Sequence, residues 1–369
     1  MKKLIALVLV LVMGLSLVAC GGAASGASGS GTDVAFVTDV GNIDDNSFNQ
    51  FSYEGVTKFC KDNGLKANYF RPSEDSDAAR LDAMDQAIKD GAKTVVMAGF
   101  LFAPALRQAQ EKWPDVQFLA LDVCSFDMTD KDASGNPVGD PVIKDNTALI
   151  TYKEEQAGYL AGYSAVVDGY KELGFLGGMA VPAVVRYGQG FVQGADAAAK
   201  ELGTTANIKY WYSGKFEATD DIKAKMDGWY GDGTEVVFAC GGPIYSSAVD
   251  AATANNGKVI GVDTDQSAFS DTIITSATKG LSESVQLALA DCKDNNWKWS
   301  EKYSAKETTL GAADGAVSLP MATSKFKTFN QEQYDKLFAG LADGSLVVDN
   351  NPASDAQFKT TAVTVDYQE

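Results

Sequence analysis

From residue 34 onward, short apolar and β-branched runs alternate with amphipathic stretches of helical period, and this alternation leaves few folds open to the chain. Strand-like runs fall at 34–38, 67–70, 94–98, 117–121, 147–151, 171–177, 209–212, 235–239, 258–262, 273–277 and 306–310. Helical patterns fill the intervals at 49–63, 75–91, 102–113, 153–168, 186–202, 218–232 and 244–256. Strand followed by helix, repeated, predicts an α/β fold of parallel sheets covered by helices on both faces. In such sheets ligands sit beyond the carboxyl ends of the strands, so the loops that follow strands are the places to look for function. Residues 125–143, rich in Asp, Gly and Pro, read as a surface insertion.

The first 32 residues have a different character. Lys2 and Lys3 precede an apolar run that ends Leu17-Val18-Ala19-Cys20. A basic start and roughly 15 apolar or small residues, too short to cross a hydrocarbon core of about 30 Å, read as an export signal over residues 1–19. A small residue followed by Cys resembles a bacterial lipobox, which implies that Cys20 is lipidated and begins the mature chain. The Gly/Ser/Ala tract that follows makes residues 20–32 a flexible tether. The expected location is the cell membrane, lipid-anchored on the extracytoplasmic face. About 340 residues remain, more than one core usually serves, so two lobes are expected.

Composition removes several functions. Acidic residues number 49 against 31 basic ones, and loss of Lys2 and Lys3 takes the formal charge from −18 to −20. Phosphate backbones need clustered Lys and Arg, so nucleic acid is not an expected partner. The chain has no histidine, which removes Ser-His-Asp and Cys-His nucleophile pairs, zincin sites and imidazole bases. Cys60, Cys124, Cys240 and Cys292 are far apart with no C-x-x-C pair, so neither a metal cluster nor a redox motif is expected. Buried, small-hydrophobe roles suit Cys60, Cys124 and Cys240, although an exported protein could also form a disulfide.

The post-strand loops collect the polar residues. After the first strand comes Thr38-Asp39-Val40-Gly41-Asn42-Ile43-Asp44-Asp45-Asn46-Ser47-Phe48-Asn49-Gln50, where Ser47 or Asn46 could cap the next helix and Asp44 and Asp45 read as helix-start charges. Later strands are followed by Asp122, by the turn Gly241-Gly242-Pro243, by Asp263-Thr264-Asp265 and, after Ser276, by Lys279. Carboxylates ending apolar strands need partners. An aromatic ring, several carboxylates, glycines that admit close approach and one lysine suit a neutral, polyhydroxylated, partly aromatic molecule. The cluster Trp297-Lys298-Trp299 reads as lobe-surface or hinge packing.

The run from Asp33 to Gly64 resembles the opening signature of the basic membrane protein family, the lipoprotein substrate-binding components of ABC importers that include purine nucleoside receptors. Glu154-Glu155-Gln156-Ala157-Gly158-Tyr159-Leu160-Ala161-Gly162, Val259-Ile260-Gly261-Val262-Asp263-Thr264-Asp265-Gln266 and Ser276-Ala277-Thr278-Lys279 extend the likeness over most of the mature chain. The resemblance implies a type I periplasmic-binding-protein fold, with lobe 1 at 33–150 plus 278–308 and lobe 2 at 151–277 plus 309–369. It implies a monomer that binds a purine nucleoside and hands it to an ABC permease, with no enzymatic activity, cofactor or metal. The base would lie between Phe48 and Phe216, with ribose hydroxyls held at Asp122, at Asp263 or Asp265, and at Lys279. Asp39 and Asn49 would line the first lobe's side, and Tyr187 could add an aromatic wall. Gly241-Gly242-Pro243-Ile244-Tyr245-Ser246 departs from the family's Gly-Gly-Thr-Gly-x-Gly-like turn, and Arg186-Tyr187 stands where Arg-Arg-Phe is usual. The altered turn keeps riboflavin, a sugar or a signalling ligand open as alternatives. From other classes, a carboxylate-based nucleoside hydrolase, its Asp-rich opening loop holding calcium, and a sensor without transport remain alternatives.

Overall fold

The computed structural model describes residues 31–132, 134, 136–350 and 359–369; the expected export signal, Cys20 and the expected tether up to residue 30 lie outside the described residues. The chain starts with β1 (Val34–Val37), α1 (Phe48–Asp62), β2 (Ala67–Phe70), α2 (Asp77–Lys89), β3 (Thr94–Ala98), α3 (Ala103–Lys112) and β4 (Gln117–Leu121). A small hairpin of β5 (Asp130–Lys131) and β6 (Pro137–Val138) precedes β7 (Thr147–Tyr152). Next come α4 (Glu154–Val167), β8 (Glu172–Gly177), α5 (Pro182–Leu202), β9 (Ala206–Tyr212), α6 (Asp220–Gly231), β10 (Val236–Cys240), α7 (Tyr245–Asn255), β11 (Lys258–Asp263) and β12 (Ile273–Lys279). The chain then adds α8 (Leu281–Asp294), β13 (Lys306–Leu310), β14 (Val317–Ser318), α9 (Gln331–Asp343) and β15 (Val363–Tyr367).

These strands build two large sheets. One has the order β13-β7-β4-β3-β1-β2 with every pair parallel, and the other β14-β12-β11-β10-β8-β9-β15 with only the β12–β14 pair antiparallel. Strands covered on both faces read as continuous apolar runs, as in the fully buried Val34-Ala35-Phe36-Val37 of β1. Alternate residues serve opposite layers: Ala35 and Val37 pack with Met84 and Leu106 of α2 and α3, whereas Val34 and Phe36 pack with Val56 of α1 and Val285 of α8. The second sheet divides in the same way, with Val237 and Ala239 facing α6 and α7 and Phe238 facing α5. β7 stays with the first sheet to Tyr152, β12 with the second to Lys279 and β13 with the first to Leu310, so these crossings lie about two residues beyond 150, 277 and 308.

Helices α4 and α5 touch backbone to backbone. A Cβ on Gly158 would lie 2.1 Å from the Tyr187 carbonyl oxygen, one on Gly162 2.0 Å from that of Phe191, and ones on Gly190 and Gly194 2.0 Å from those of Glu155 and Tyr159. Four interlocked glycines fix how Glu154, at the start of α4, meets Arg186 and Tyr187 on α5.

Four elements escape the sequence pattern: α8, α9, β14 and β15. The supposed surface insertion at 125–143 also differs, because it carries a 3-10 turn at Ser125–Met128 and the β5–β6 hairpin. Met128 is fully buried, and Gln110 donates from Nε2 to the Val142 carbonyl, so this segment packs onto α3 while its tip stays exposed. Trp299 is likewise more than surface packing: it is buried, and its indole N–H donates to the Asn146 carbonyl beside the start of β7, away from the carboxyl ends of the strands.

Candidate functional site

Beyond β1 the chain makes a turn whose polar groups are largely committed to one another. Asp39 Oδ1 accepts from the Gly41 N–H (2.7 Å) and from Asn49 Nδ2 (2.8 Å), while the Asp39 N–H donates to Asn49 Oδ1 (3.2 Å). The start of α1 is held by Asp45, whose carboxylate accepts from the backbone N–H groups of Ser47, Asn49 and Gln50. Asp45 thus takes the part of a helix-start charge, and the capping expected of Ser47 or Asn46 does not occur. Asn46 is turned into the left-handed region (φ 52°), and Ser47 points its hydroxyl elsewhere, to Asp263 Oδ2 at 2.7 Å. The turn aims Phe48, the first residue of α1, into a cleft between the two sheets.

Two other strands end on aspartates in the left-handed region, Asp122 (φ 56°) after β4 and Asp263 (φ 66°) at the end of β11. Non-glycine residues persist there only where their surroundings over-determine them. For Asp122 the determinant is Lys279, the last residue of β12, whose Nζ lies 2.5 Å from Asp122 Oδ2 and 3.0 Å from Glu154 Oε1. Arg186 donates from Nε to the other Glu154 oxygen at 2.6 Å. The rings of Phe48, Tyr152 and Tyr187 surround the ammonium at 5.0, 5.1 and 5.6 Å from their centroids. Asp122 Oδ1 has no hydrogen-bond partner among the described residues, which leaves an acceptor for a ligand hydroxyl or N–H.

Burial would lower the Lys279 ammonium, yet Asp122, Glu154 and Asp263 together hold it above the ordinary lysine range. Glu154 is likewise raised by burial, but Arg186 and then Lys279 bring it below the usual carboxylate range. Burial raises Asp263 and pushes Asp39 up to about 6, against the hydrogen bonds from Gly41 and Asn49. The site therefore contains a fixed positive charge enclosed by carboxylates, some of them easily protonated.

The opposite wall is mostly backbone and rings. Phe216, in the loop after β9, lies so close to Gly178 that a Cβ there would be 2.5 Å from its ring. Gly241 approaches the same backbone, with its would-be Cβ 3.0 Å from Gly178 Cα, and Gly242 (φ 57°) leads through Pro243 into α7. Tyr187 is buried with its hydroxyl donated to the Ala277 carbonyl, so it offers the cleft a ring and no free O–H.

Ten expected residues line one cavity: Asp39, Phe48, Asn49, Asp122, Tyr187, Phe216, Gly241, Gly242, Asp263 and Lys279. It holds about 720 Å³ of space free of atoms, its mouth included. Asp265 is not in its wall, because Oδ2 accepts from Thr323 Oγ1 at 2.6 Å and Oδ1 from the Ser267 N–H. Sequence reasoning missed the lining residues Gly99, Phe100 and Leu101 after β3, Val181 and Val184 after β8, and the Cys240 thiol. The first two groups stand in post-strand loops, which is the signal that could find them; nothing in the sequence singles out Cys240. Cys60, Cys240 and Cys292 are buried free thiols and Cys124 is a half-buried one. No group of three or more His, Cys, Asp or Glu residues among the described residues is placed to hold a metal.

The cavity lies between two largely parallel sheets, at the carboxyl ends of their strands, where open α/β sheets hold their ligands. Residues 32–340 match a family model described as Bmp, ABC transporter substrate-binding protein PnrA-like. The chain belongs to the Bmp family. Among Bmp-related proteins, the ABC transporter nucleoside-binding protein BmpA of Lactococcus lactis subsp. cremoris is 30% identical over 261 residues, covering 66% of this chain and 68% of that one. Basic membrane protein A2 of Borrelia garinii subsp. bavariensis is 26% identical over 369 residues, covering 97% and 99%. In fold, the chain is similar to an ABC transporter system solute-binding protein from Aeropyrum pernix (TM-score 0.70, 19% identity, 87% of this chain and 94% of that one). It is also similar to the arabinose-binding protein AraP of Geobacillus stearothermophilus (TM-score 0.55, 12% identity, 83% and 99%), which places it in the type I periplasmic-binding-protein fold. As a Bmp-family member it is an ABC transporter substrate-binding protein. Among the described residues no helix is long and apolar enough to cross a membrane.

Proposed function

We propose that this protein is a lipid-anchored receptor that binds a purine nucleoside between its lobes and delivers it to an ABC permease. The observation that carries the reading is that Phe48 and Phe216, from opposite lobes, line one cavity whose only lining cation among the described residues, Lys279, is already paired with Asp122. A flat base matches the rings, and hydroxyl or N–H donors match the free oxygen of Asp122. A phosphate or other anion would meet Asp39, Asp45, Asp122 and Asp263 with no unpaired cation among the described residues of the wall. Stacking supplies on the order of 1–3 kcal/mol per aromatic contact, whereas dissociation constants between 1 μM and 1 nM require roughly −8 to −12 kcal/mol. The remainder falls to charge-assisted bonds from the carboxylates and to closure of the lobes. Membrane attachment at Cys20 and the permease partner rest on the leader sequence and the family. The reading is of a monomeric binding protein rather than an enzyme; in the Asp-rich opening loop, Asp39 and Asp45 spend their carboxylates on Gly41, Asn49 and the start of α1.

The test is isothermal titration of the chain from residue 31, unfolded and refolded to strip carried ligand, with adenosine, guanosine, inosine, cytidine, ribose and riboflavin. Saturable binding of purine nucleosides, lost in folded Phe216→Ala and Asp122→Ala proteins, is expected. Binding of riboflavin or ribose with silence toward all nucleosides would overturn the reading and turn attention to the Pro243 turn.

A further inference from the structure

Lys279 is held from two directions, and only one of them belongs to the cavity wall. Its ammonium donates to Asp122 Oδ2, in the wall, at 2.5 Å, and lies 3.0 Å from Glu154 Oε1, which is outside it. The Lys279 and Glu154 side chains are 2% and 0% exposed. Glu154 Oε1 accepts no aligned hydrogen bond among the described residues, so it acts on Lys279 as a charge. Of the three ammonium N–H groups, only the one given to Asp122 has a hydrogen-bond acceptor among the described residues. Asp122 Oδ1 is also unpartnered among them. Spare donors and a free acceptor, side by side in a cavity, match a ligand hydroxyl, which both donates and accepts.

We propose that Glu154 is a positioning residue: backed by Arg186, its charge holds the Lys279 ammonium beside Asp122, so that the two together select a ligand carrying a hydroxyl at this end of the cavity. The inference deepens the receptor reading and rests on it. A lysine stem of four carbons is flexible, and one carboxylate leaves its ammonium free to swing. A second carboxylate from another element removes that freedom. Glu154 opens α4, Lys279 ends β12 and Asp122 follows β4, so three separate elements meet at one ammonium. Glu154 is itself placed from behind, because Arg186 of α5 donates to Oε2 at 2.6 Å and the interlocked glycines at 158, 162, 190 and 194 set the distance between the two helices. Against burial, Arg186 and then Lys279 keep Glu154 ionised. Two cations thus face two carboxylates, Asp122 and Glu154, out of water. Such a network is costly to desolvate and stabilises a fold little more than apolar residues of the same volume would. Its use lies in where it puts the ammonium.

The experiment titrates the refolded, ligand-free chain and its Glu154→Gln and Glu154→Gln/Arg186→Gln variants with inosine, 2′-deoxyinosine and 3′-deoxyinosine in the calorimeter, after circular dichroism has shown each protein folded. Wild type is expected to bind at least one deoxy analogue about tenfold to a hundredfold more weakly than inosine. In Glu154→Gln, inosine should weaken while that analogue hardly changes, so that the ratio falls to about threefold or less. The double variant removes a balanced pair and leaves Lys279 with Asp122; the ratio should stay low there too, and this variant serves alone if the single one does not fold. Equal weakening of all three ligands in Glu154→Gln, recovery of the wild-type ratio in the double variant, or a wild type indifferent to both hydroxyls would overturn the proposal. A second readout needs no ligand: the Lys279 15Nζ signal, identified by its absence in Lys279→Arg, should shift or vanish through faster proton exchange in both Glu154 variants. If no nucleoside binds wild type, the receptor reading fails, and an unmoved Nζ signal would then overturn the positioning role separately.

Discussion

The glycines between α4 and α5 allow one chemical change to be tested with opposite signs in the same protein. Gly158→Ala adds a methyl group 2.1 Å from the Tyr187 carbonyl oxygen. Carbon and oxygen come no closer than about 3.3 Å even in favourable C–H contacts, so the helices must separate by roughly 1.2 Å. Gly162, Gly190 and Gly194 pin the same pair of helices at three more points, which prevents the strain from relaxing locally. Overpacking typically costs about 1–3 kcal/mol and occasionally more, and we expect Gly158→Ala at the upper end, about 3 kcal/mol. Gly228 provides the contrast: it lies within α6 with nothing within 4 Å of its would-be Cβ, so Ala there should gain about 0.5–1 kcal/mol from helix propensity. Urea unfolding followed by far-ultraviolet circular dichroism measures both, with midpoint and slope reported separately because two lobes need not unfold together. Nucleoside affinity should fall in Gly158→Ala as well, since the displaced helices carry Glu154, Arg186 and Tyr187. A Gly158→Ala protein within about 0.5 kcal/mol of wild type would refute the claim that backbone contact sets this helix pair.

Other consequences are equally direct. Lys279→Met leaves Asp122 and Glu154 buried without their shared cation, so a loss of roughly 3–5 kcal/mol in stability is expected in denaturant titrations, with nucleoside binding weakened in calorimetry. Because burial raises Asp39 in the folded state to about 6, the folded chain binds more protons than the unfolded one between about pH 4 and 6; this contribution is present below that window and lost as pH rises through it. Asp39→Asn should flatten the stability profile across that window, and an unchanged slope would count against a buried, proton-holding Asp39. Asp196 Oδ1 accepts from the backbone N–H groups of Thr361, Ala362 and Val363, so Asp196→Ala should release β15 to limited proteolysis while leaving the cavity intact. Burial keeps the Cys240 thiol far above its ordinary range, so maleimide should label it slowly in the native chain, and a bound nucleoside should slow that labelling further.

Much of this architecture is legible in the sequence. Strand-like runs at 67–70, 94–98, 117–121 and 306–310 coincide with β2, β3, β4 and β13; β3 and β4 are covered on both faces and leave apolar runs bounded by polar turns, whereas β2 and β13 are part-exposed edge strands marked by their aromatic and β-branched residues. The helix at Pro182 begins four residues earlier than periodicity suggests, since its first turn, Pro182-Ala183-Val184-Val185, is a continuous apolar run that shows no helical period. β15 was invisible for another reason: Val363-Thr364-Val365-Asp366-Tyr367 is an edge strand, largely exposed, whose place depends on pairing with β9 and on Asp196. Asp265 shows the limit of reading post-strand positions in line: two residues past Asp263 the chain has turned away, and Thr323 takes its carboxylate.

The sequence alone determined the sheet class, the alternation of buried strands and amphipathic helices, and the placing of polar residues after the strands, because each depends on residue periodicities of two and 3.6. Only the tertiary structure decided which of those residues meet. Ser47 and Asp263 are 216 positions apart, and Lys279 and Asp122 157 apart. Their contacts come from three crossings between the sheets and from four glycines that set the spacing of two helices, and no local pattern encodes that geometry.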